Sequence, residues 1–460
     1  MIDTARPSSV VSDRTVTPPH PTSTDPFTGF TGFTAQRKEH THMTHGSLPD
    51  TFLWGVATAG HQNEGDNSAS DTWFLEHTTP SLFREPSGAG CRGYEHWATD
   101  LDLAAGLGLN AFRFSVEWAR VEPERGVVSA EALDHYEHVV DGCLERGLAP
   151  VVTFNHFTAP HWFAAAGSWT AADAPARFAE QCDRVMARFG DRIAYGVTLN
   201  EPNLEQLLQA GAKLPPEAET LKTRMLAAAA RAAGSDAYGS ANVIPAHLQD
   251  EFQTAFTLAH RAARDAIKAR RGDLPVGVSI AIADEVAIPG GEARRDAKRA
   301  AVYDHWLNEA RHDDFIGVQN YERIVHGPDG EVTTDGELNG MGTVIAPGSL
   351  AGAAHYAHQV SGVPVLVTEH GIQTPDDAQR AALIPAAVEE LVAEVHAGTP
   401  ILGYFHWTLM DNFEWIFGYG AQLGLHEVDR TTFQRRPKPS AKAYADVIRR
   451  HRGAGTEPRG

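Results

Sequence analysis

The sequence predicts an α/β protein, a single (β/α)8 barrel of the TIM type with long loops at the C-terminal face of the strands. Three observations predict it. Eight short runs rich in β-branched and aromatic residues recur from Asp50 onward, separated by Ala-rich stretches of helical periodicity. The runs are apolar nearly throughout, as suits strands buried on both faces of a parallel sheet. The chain is also long enough, at 460 residues, for a barrel with insertions to form one domain.

The strand candidates, in order, are Phe52–Ala59, Asn110–Val116, Pro150–Phe157, Ala194–Glu201, Pro275–Ile282, Phe315–Glu322, Val363–His370 and Ile401–Leu409. Helical patterns lie between them, among them Glu131–Arg146, Asp173–Phe189, Glu251–Arg271 and Gln379–His396. A doubly wound open sheet is the competing architecture. The nucleotide fingerprint such sheets carry is missing, because Gly106-Leu107-Gly108 lacks a third glycine and follows a helical pattern. Two connections break the rhythm, Pro202 to Ala246 and Trp407 to Pro439. Long loops at the C-terminal face are where barrel proteins place their chemistry.

Residues 1–49 stand apart. They hold 6 Pro and 15 Ser or Thr but only four basic and four acidic residues. Such a segment cannot bury enough apolar surface to offset its ordering entropy, so a disordered extension is expected. Met43 precedes the first strand-like run and is a candidate true start of translation. The catalytic unit is expected over 50–452, with a flexible tail over 453–460.

A formal net charge of -20 repels phosphate backbones and anionic lipid, so nucleic acid and membrane surfaces are not expected partners. The three cysteines, Cys91, Cys143 and Cys182, make no disulfide framework and have no CxxC spacing for zinc. No run approaches the roughly 18 apolar residues of a membrane span, and no secretory h-region opens the chain. These features together point to a cytoplasmic, soluble protein.

The residues that close the strands carry the chemistry. The fourth run ends in Asn200-Glu201-Pro202 and the seventh in Thr368-Glu369-His370-Gly371. The third ends in Asn155-His156-Phe157. The eighth carries Trp407, followed by Asp411-Asn412-Phe413-Glu414-Trp415. Two carboxylates at strand ends suit acid/base work. In glycosidic cleavage one carboxyl protonates the leaving oxygen while the other attacks the anomeric carbon or activates water. A separation of about 5–5.5 Å gives retention and one of roughly 6.5–9.5 Å gives inversion, a distance that sequence does not supply. Tryptophan faces stack on sugar rings and carboxylates bond hydroxyls, although both tryptophans read equally well as core.

At these residues the chain resembles glycoside hydrolase family 1, the β-glucosidase family, over nearly all of Leu53 to Tyr444. Five segments carry the likeness in order: Phe52–Ala59 with Gln62 and Glu64-Gly65; Arg113–Arg120; Thr198–Pro202; Val367–Gly371; and Gly403–Trp407 through Trp415, with Gly418-Tyr419 and Gly424-Leu425. The resemblance implies a retaining double displacement that needs no cofactor or metal. Glu369 would be the nucleophile and Glu201 the acid/base, with Arg113 keeping Glu369 ionised. Tyr321 would hydrogen-bond the nucleophile. Gln62, His156, Asn200, Trp407, Glu414 and Trp415 would hold the nonreducing-end sugar, with Asn200 at its 2-hydroxyl. The partner implied is a small β-glycoside or oligosaccharide; oligomeric state is left open.

The chain departs from the family pattern at Gln319 and His370, where Asn is usual, and at Phe417, Gln422 and Leu423. These departures bear on sugar and aglycone choice. A carboxylate at Glu414 would repel a phosphate dianion and argues against 6-phosphorylated sugars. Two further readings stay open: a transglycosylase using the same intermediate, and a non-catalytic carbohydrate-binding barrel. The i,i+3 pairs His135/His138 and His355/His358 lack an obvious third ligand and read as solvated helix faces. Asp71 and Trp73 read as loop residues near the pocket edge.

Overall fold

The computed structural model describes residues 48–211 and 217–452. The expected disordered extension, the candidate start at Met43 and the expected tail lie outside the described residues, apart from Leu48 and Pro49. All eight strands form: β1 Leu53–Ala57, β2 Ala111–Ser115, β3 Ala149–Asn155, β4 Tyr195–Asn200, β5 Val276–Ala281, β6 Phe315–Asn320, β7 Val365–His370 and β8 Ile401–Trp407. Each pairs in parallel with its sequence neighbour, and β8 closes on β1.

The near-continuous apolar runs have a structural reason. Side chains alternate across a strand, so successive residues enter different cores. Val151, Phe315, Leu366 and Phe405 pack into one cluster inside the barrel. Their neighbours Val152, Ile316, Val365 and Val367 pack outward into the larger cluster beneath the helices. Both sets are buried, so neither face of the strand admits a polar stripe. Gly55 in β1 leaves room for Phe405, whose ring carbon would stand 2.3 Å from an added Cβ.

The four singled-out helices form as Ala130–Glu145, Ala174–Phe189, Gln249–Arg270 and Asp377–Ala397. The connection after β4 holds two more, Leu204–Ala210 and Glu217–Ala233. The connection after β8 holds a 3-10 segment, Trp415–Gly420, and an antiparallel ribbon of His426–Val428 with Arg435–Pro437. A parallel pair, Asp284–Ala287 with Arg323–His326, extends β5 and β6 above the barrel and was not expected from sequence. Asp71 and Trp73 sit in a helix, Asp71–Glu76, rather than a loop. Buried Asp71 accepts from Thr72 N at 2.7 Å and Ala159 N at 3.0 Å, bracing the loop after β3. The histidine pairs lie on helices: His355 Nδ1 meets Glu394 and His358 Nδ1 meets the Val363 carbonyl. Among the described residues no helix is long and apolar enough to cross a membrane.

The turn after β4 is pinned from below. Asn203 is fully buried; its Nδ2 donates to Ala281 O at 2.8 Å and its Oδ1 accepts from Ala281 N at 3.0 Å. Replacing it leaves both backbone groups buried and unmatched. Asn203→Leu is therefore expected to cost roughly 2–4 kcal/mol in urea unfolding, against less than ~1 kcal/mol for an exposed substitution.

Candidate active site

Arg113 is the deepest charge of the site. It lies on β2, points into the barrel and is wholly buried. Its Nη1 donates to Glu369 Oε1 at 2.6 Å and to the Thr368 carbonyl at 3.2 Å. Its Nε donates to Thr153 Oγ1 on β3 at 3.0 Å, and its Nη2 to Asn200 Oδ1 on β4. One guanidinium thus joins β2, β3, β4 and β7.

Glu369 is the penultimate residue of β7 and is 4% exposed. Besides Arg113, Gln319 Nε2 donates to its Oε1 at 2.9 Å and Tyr321 Oη donates to its Oε2 at 2.7 Å. Glu201 follows the last residue of β4. Its backbone turns there into the left-handed region, at φ 45°, with its N–H on Ser279 O at 2.8 Å. Among the described residues no side chain donates a hydrogen bond to the Glu201 carboxyl.

The two acids therefore differ. Burial, and then the negative charge of Glu369, push Glu201 well above the ordinary carboxylate range. Burial also raises Glu369, but Arg113 and Tyr321 oppose that rise. One proton shared between them resides on Glu201, and the charge on Glu369.

Glu414 is the third acid. Burial, and then Glu369, lift it to about 8. Gln62 Nε2 donates to its Oε2 at 3.1 Å and to the Phe413 carbonyl at 2.8 Å, and the Trp407 indole N–H donates to it as well. The aromatic groups form a continuous pile. His156 is stacked against Trp407 at 5.7 Å and against Trp415 at 6.2 Å between ring centroids. Trp415 in turn lies parallel to His61 at 5.8 Å, with 3° between planes. Burial, and then Arg113, hold His156 well below its ordinary pKa, so its ring is neutral at pH 7.

Nine of the ten residues singled out in the sequence thus lie at the C-terminal ends of the strands or in the segments that follow, and the tenth, Arg113, is the central residue of β2. Arg113, Asn200, Tyr321 and Glu369 are joined by direct or shared hydrogen bonds; Gln62, Trp407 and Glu414 form a second set; His156 and Trp415 stack. Two contributors were not singled out for a role. Gln319 bonds Glu369, and His61, held by Glu76 at 2.8 Å, backs Trp415. Gln319 could have been found as a polar residue at the end of an apolar strand; His61 had no such signal.

Several buried polar atoms of the site have no partner among the described residues: Gln62 Oε1, His156 Nδ1, Asn200 Nδ2 and Gln319 Oε1. An unmatched buried polar atom opposes folding, and at the mouth of a site a polar ligand can complete it. A barrel with a carboxylate pair, a neutral donor set and stacked rings at its mouth defines an enzyme acting on a carbohydrate bond.

The family model described as Glycosyl hydrolase family 1 matches residues 44–326 and 341–453. Thermostable beta-glucosidase B of Thermobispora bispora is 30% identical over 447 residues, 88% of this chain and 91% of the relative. Beta-glucosidase A of Thermotoga maritima is 28% identical, over 87% and 98% of the two chains. The crystal structure of beta-glycosidase BGL167 aligns with a TM-score of 0.82 at 44% identity, over 90% of this chain and 99% of the other. The chain belongs to glycosyl hydrolase family 1 and is a glycosidase.

The raised Glu414 has a consequence for stability. Its pKa in the fold, about 8, stands above the ordinary 4.5, so the native state holds a proton that the unfolded chain releases. The contribution of Glu414 to native stability therefore falls as pH rises from about 4.5 to about 8. Glu414→Gln removes that dependence. The variant is expected to melt above wild type at pH 8.5, with the gap closing by pH 5, in thermal scans across pH.

Proposed function

We propose that this chain is a retaining β-glycosidase of the β-glucosidase type, releasing terminal nonreducing β-D-glycosyl residues through a covalent glycosyl-enzyme. The observation that carries the proposal is the contrast between the two acids. Glu369 receives three side-chain donors, from Arg113, Gln319 and Tyr321, while Glu201 receives none among the described residues. A carboxylate so held is an ionised nucleophile, and a buried carboxyl with no donor is a protonated acid.

In the first step Glu369 attacks the anomeric carbon as Glu201 gives its proton to the departing oxygen. The glycosyl–oxygen bond breaks and an ester to Glu369 forms. In the second step Glu201, now ionised, takes a proton from water, whose oxygen displaces Glu369 and releases the sugar. Arg113 and Tyr321 favour the carboxylate and so assist its departure. Gln62, His156, Asn200 and Glu414 would bond sugar hydroxyls, with Trp407 and Trp415 as stacking faces. The names of the relatives, β-glucosidases and a β-glycosidase, support a glucoside as the sugar.

A panel of nitrophenyl β-glycosides tests this reading. The wild type is expected to cleave the β-glucoside with a bell-shaped pH profile, losing activity in acid as Glu369 gains a proton and in base as Glu201 loses one. Glu369→Gly is expected to lose roughly 10³-fold or more of kcat. Azide should restore turnover in that variant and yield the α-glycosyl azide. A β-azide product, or a fully active Glu369→Gly, refutes the assignment.

A further inference from the structure

The hydrogen-bond polarity at the centre of the site is set by one residue. A guanidinium carries donors only, so the Asn200 amide atom facing Arg113 Nη2 is its oxygen. That oxygen also accepts at 2.8 Å from the Gln319 side chain, which must therefore present its NH2 end. The same NH2 lies 2.9 Å from Glu369 Oε1, an acceptor. Its two hydrogens thus serve Asn200 and Glu369 together. Both lone pairs of Asn200 Oδ1 are then taken, by Arg113 and Gln319. What remains of the Asn200 amide is Nδ2, buried and without a partner among the described residues, and able only to donate.

From this geometry we infer that Gln319 is a positioning residue, locking Asn200 with its Nδ2 as a fixed donor to the sugar 2-hydroxyl oxygen while holding Glu369 in its attacking position. The inference rests on the functional reading above, together with the family resemblance that puts Asn200 at the 2-hydroxyl. Gln319 touches neither the scissile bond nor the leaving group; it acts through Asn200 and Glu369. Strand register makes the arrangement possible. Gln319 on β6 pairs directly with Glu369 on β7, and β5 separates it from β4, where Asn200 pairs with Ser279. Gln319 itself pairs with Ala281 on β5, and Asn200 with Ser279, so the strand between the two amides carries only small residues at this level. Arg113 holds Asn200 Oδ1 from the opposite side. Without Gln319 one of the two anchors is lost, and the Asn200 amide rotates more freely between Arg113 and the pocket.

The test compares wild type with Gln319→Met, similar in length but with no donor, on nitrophenyl β-glucoside and its 2-deoxy analogue. For the glucoside, kcat/KM is expected to fall ~10–100-fold, mainly in kcat, because the 2-hydroxyl bond tightens in the transition state. The penalty for removing the 2-hydroxyl, large in wild type, should shrink roughly tenfold in the variant. The acid limb of the kcat/KM profile should move up by roughly half to one pH unit, since Glu369 has lost a donor. A merely structural defect lowers activity on both substrates alike and leaves the limb in place. A folded Gln319→Met with wild-type 2-deoxy discrimination and an unmoved acid limb overturns the inference. Should that variant fail to fold, Gln319→Leu, also without a donor or a charge, replaces it and is read by the same two measures. If wild type cleaves no β-glycoside, the fault lies in the functional reading and the inference falls with it.

Discussion

The buried guanidinium of Arg113 is the constraint on which the rest of the site depends. Taking a cation out of water costs several kcal/mol even after relaxation, and the cost is offset only by a close anion and a full set of acceptors. Both are present: Glu369 supplies the charge, and Thr153, Thr368 and Asn200 supply further oxygens. These partners come from β3, β4 and β7, so satisfying one side chain fixes four strands at one level of the barrel. Glu369 is thereby held by backbone that closes on itself.

The same charge explains how three acids coexist at the barrel mouth. Arg113 acts on Glu201 and Glu369, Glu414 feels the charge of Glu369, and the neutral ring of His156 adds no cation. Full ionisation would leave the mouth with an uncompensated double negative charge in poorly solvated surroundings. The site therefore keeps protons. Of the three acids Arg113 bonds only Glu369, so the charge settles there and the protons stay on the acids that Arg113 does not touch. The division of labour between an acid and a nucleophile thus follows from where one arginine points.

Much of this was legible in the sequence, for identifiable reasons. All eight barrel strands could be placed because strands buried on both sides leave uninterrupted apolar runs. Their ends could be placed to within a few residues because polar groups return where the strands meet the loops. Glu201, Glu369, Asn200 and Trp407 stood out as polar or aromatic residues closing such runs. The parallel pair at Asp284–Ala287 and Arg323–His326 was not legible, because its four-residue strands mix charge with apolar residues and show no period. Asp71 read as loop because its helix has only six residues. Contacts such as Arg113 to Glu369, 256 positions apart, leave no local pattern at all; there the family likeness carried the expectation. The role of Gln319 escaped both routes, since its importance lies in which end of its amide faces which neighbour.

The site is also built at some expense to the fold. Gln62, His156, Asn200 and Gln319 each bury a polar atom that finds no partner among the described residues, and each such atom opposes folding by about 1–3 kcal/mol. They persist because the surrounding structure over-determines them. His156 is clamped between two tryptophans, Gln62 is held by the Phe413 carbonyl and Glu414, and Asn200 by Arg113 and Gln319. None can turn to find another partner without breaking a bond or a stack already made. A hydroxyl-rich ring placed among them meets donors and acceptors already fixed in position. The strain relieved on binding then favours a ligand whose hydroxyl pattern matches all of them at once, which is how a rigid barrel mouth converts unsatisfied groups into selectivity.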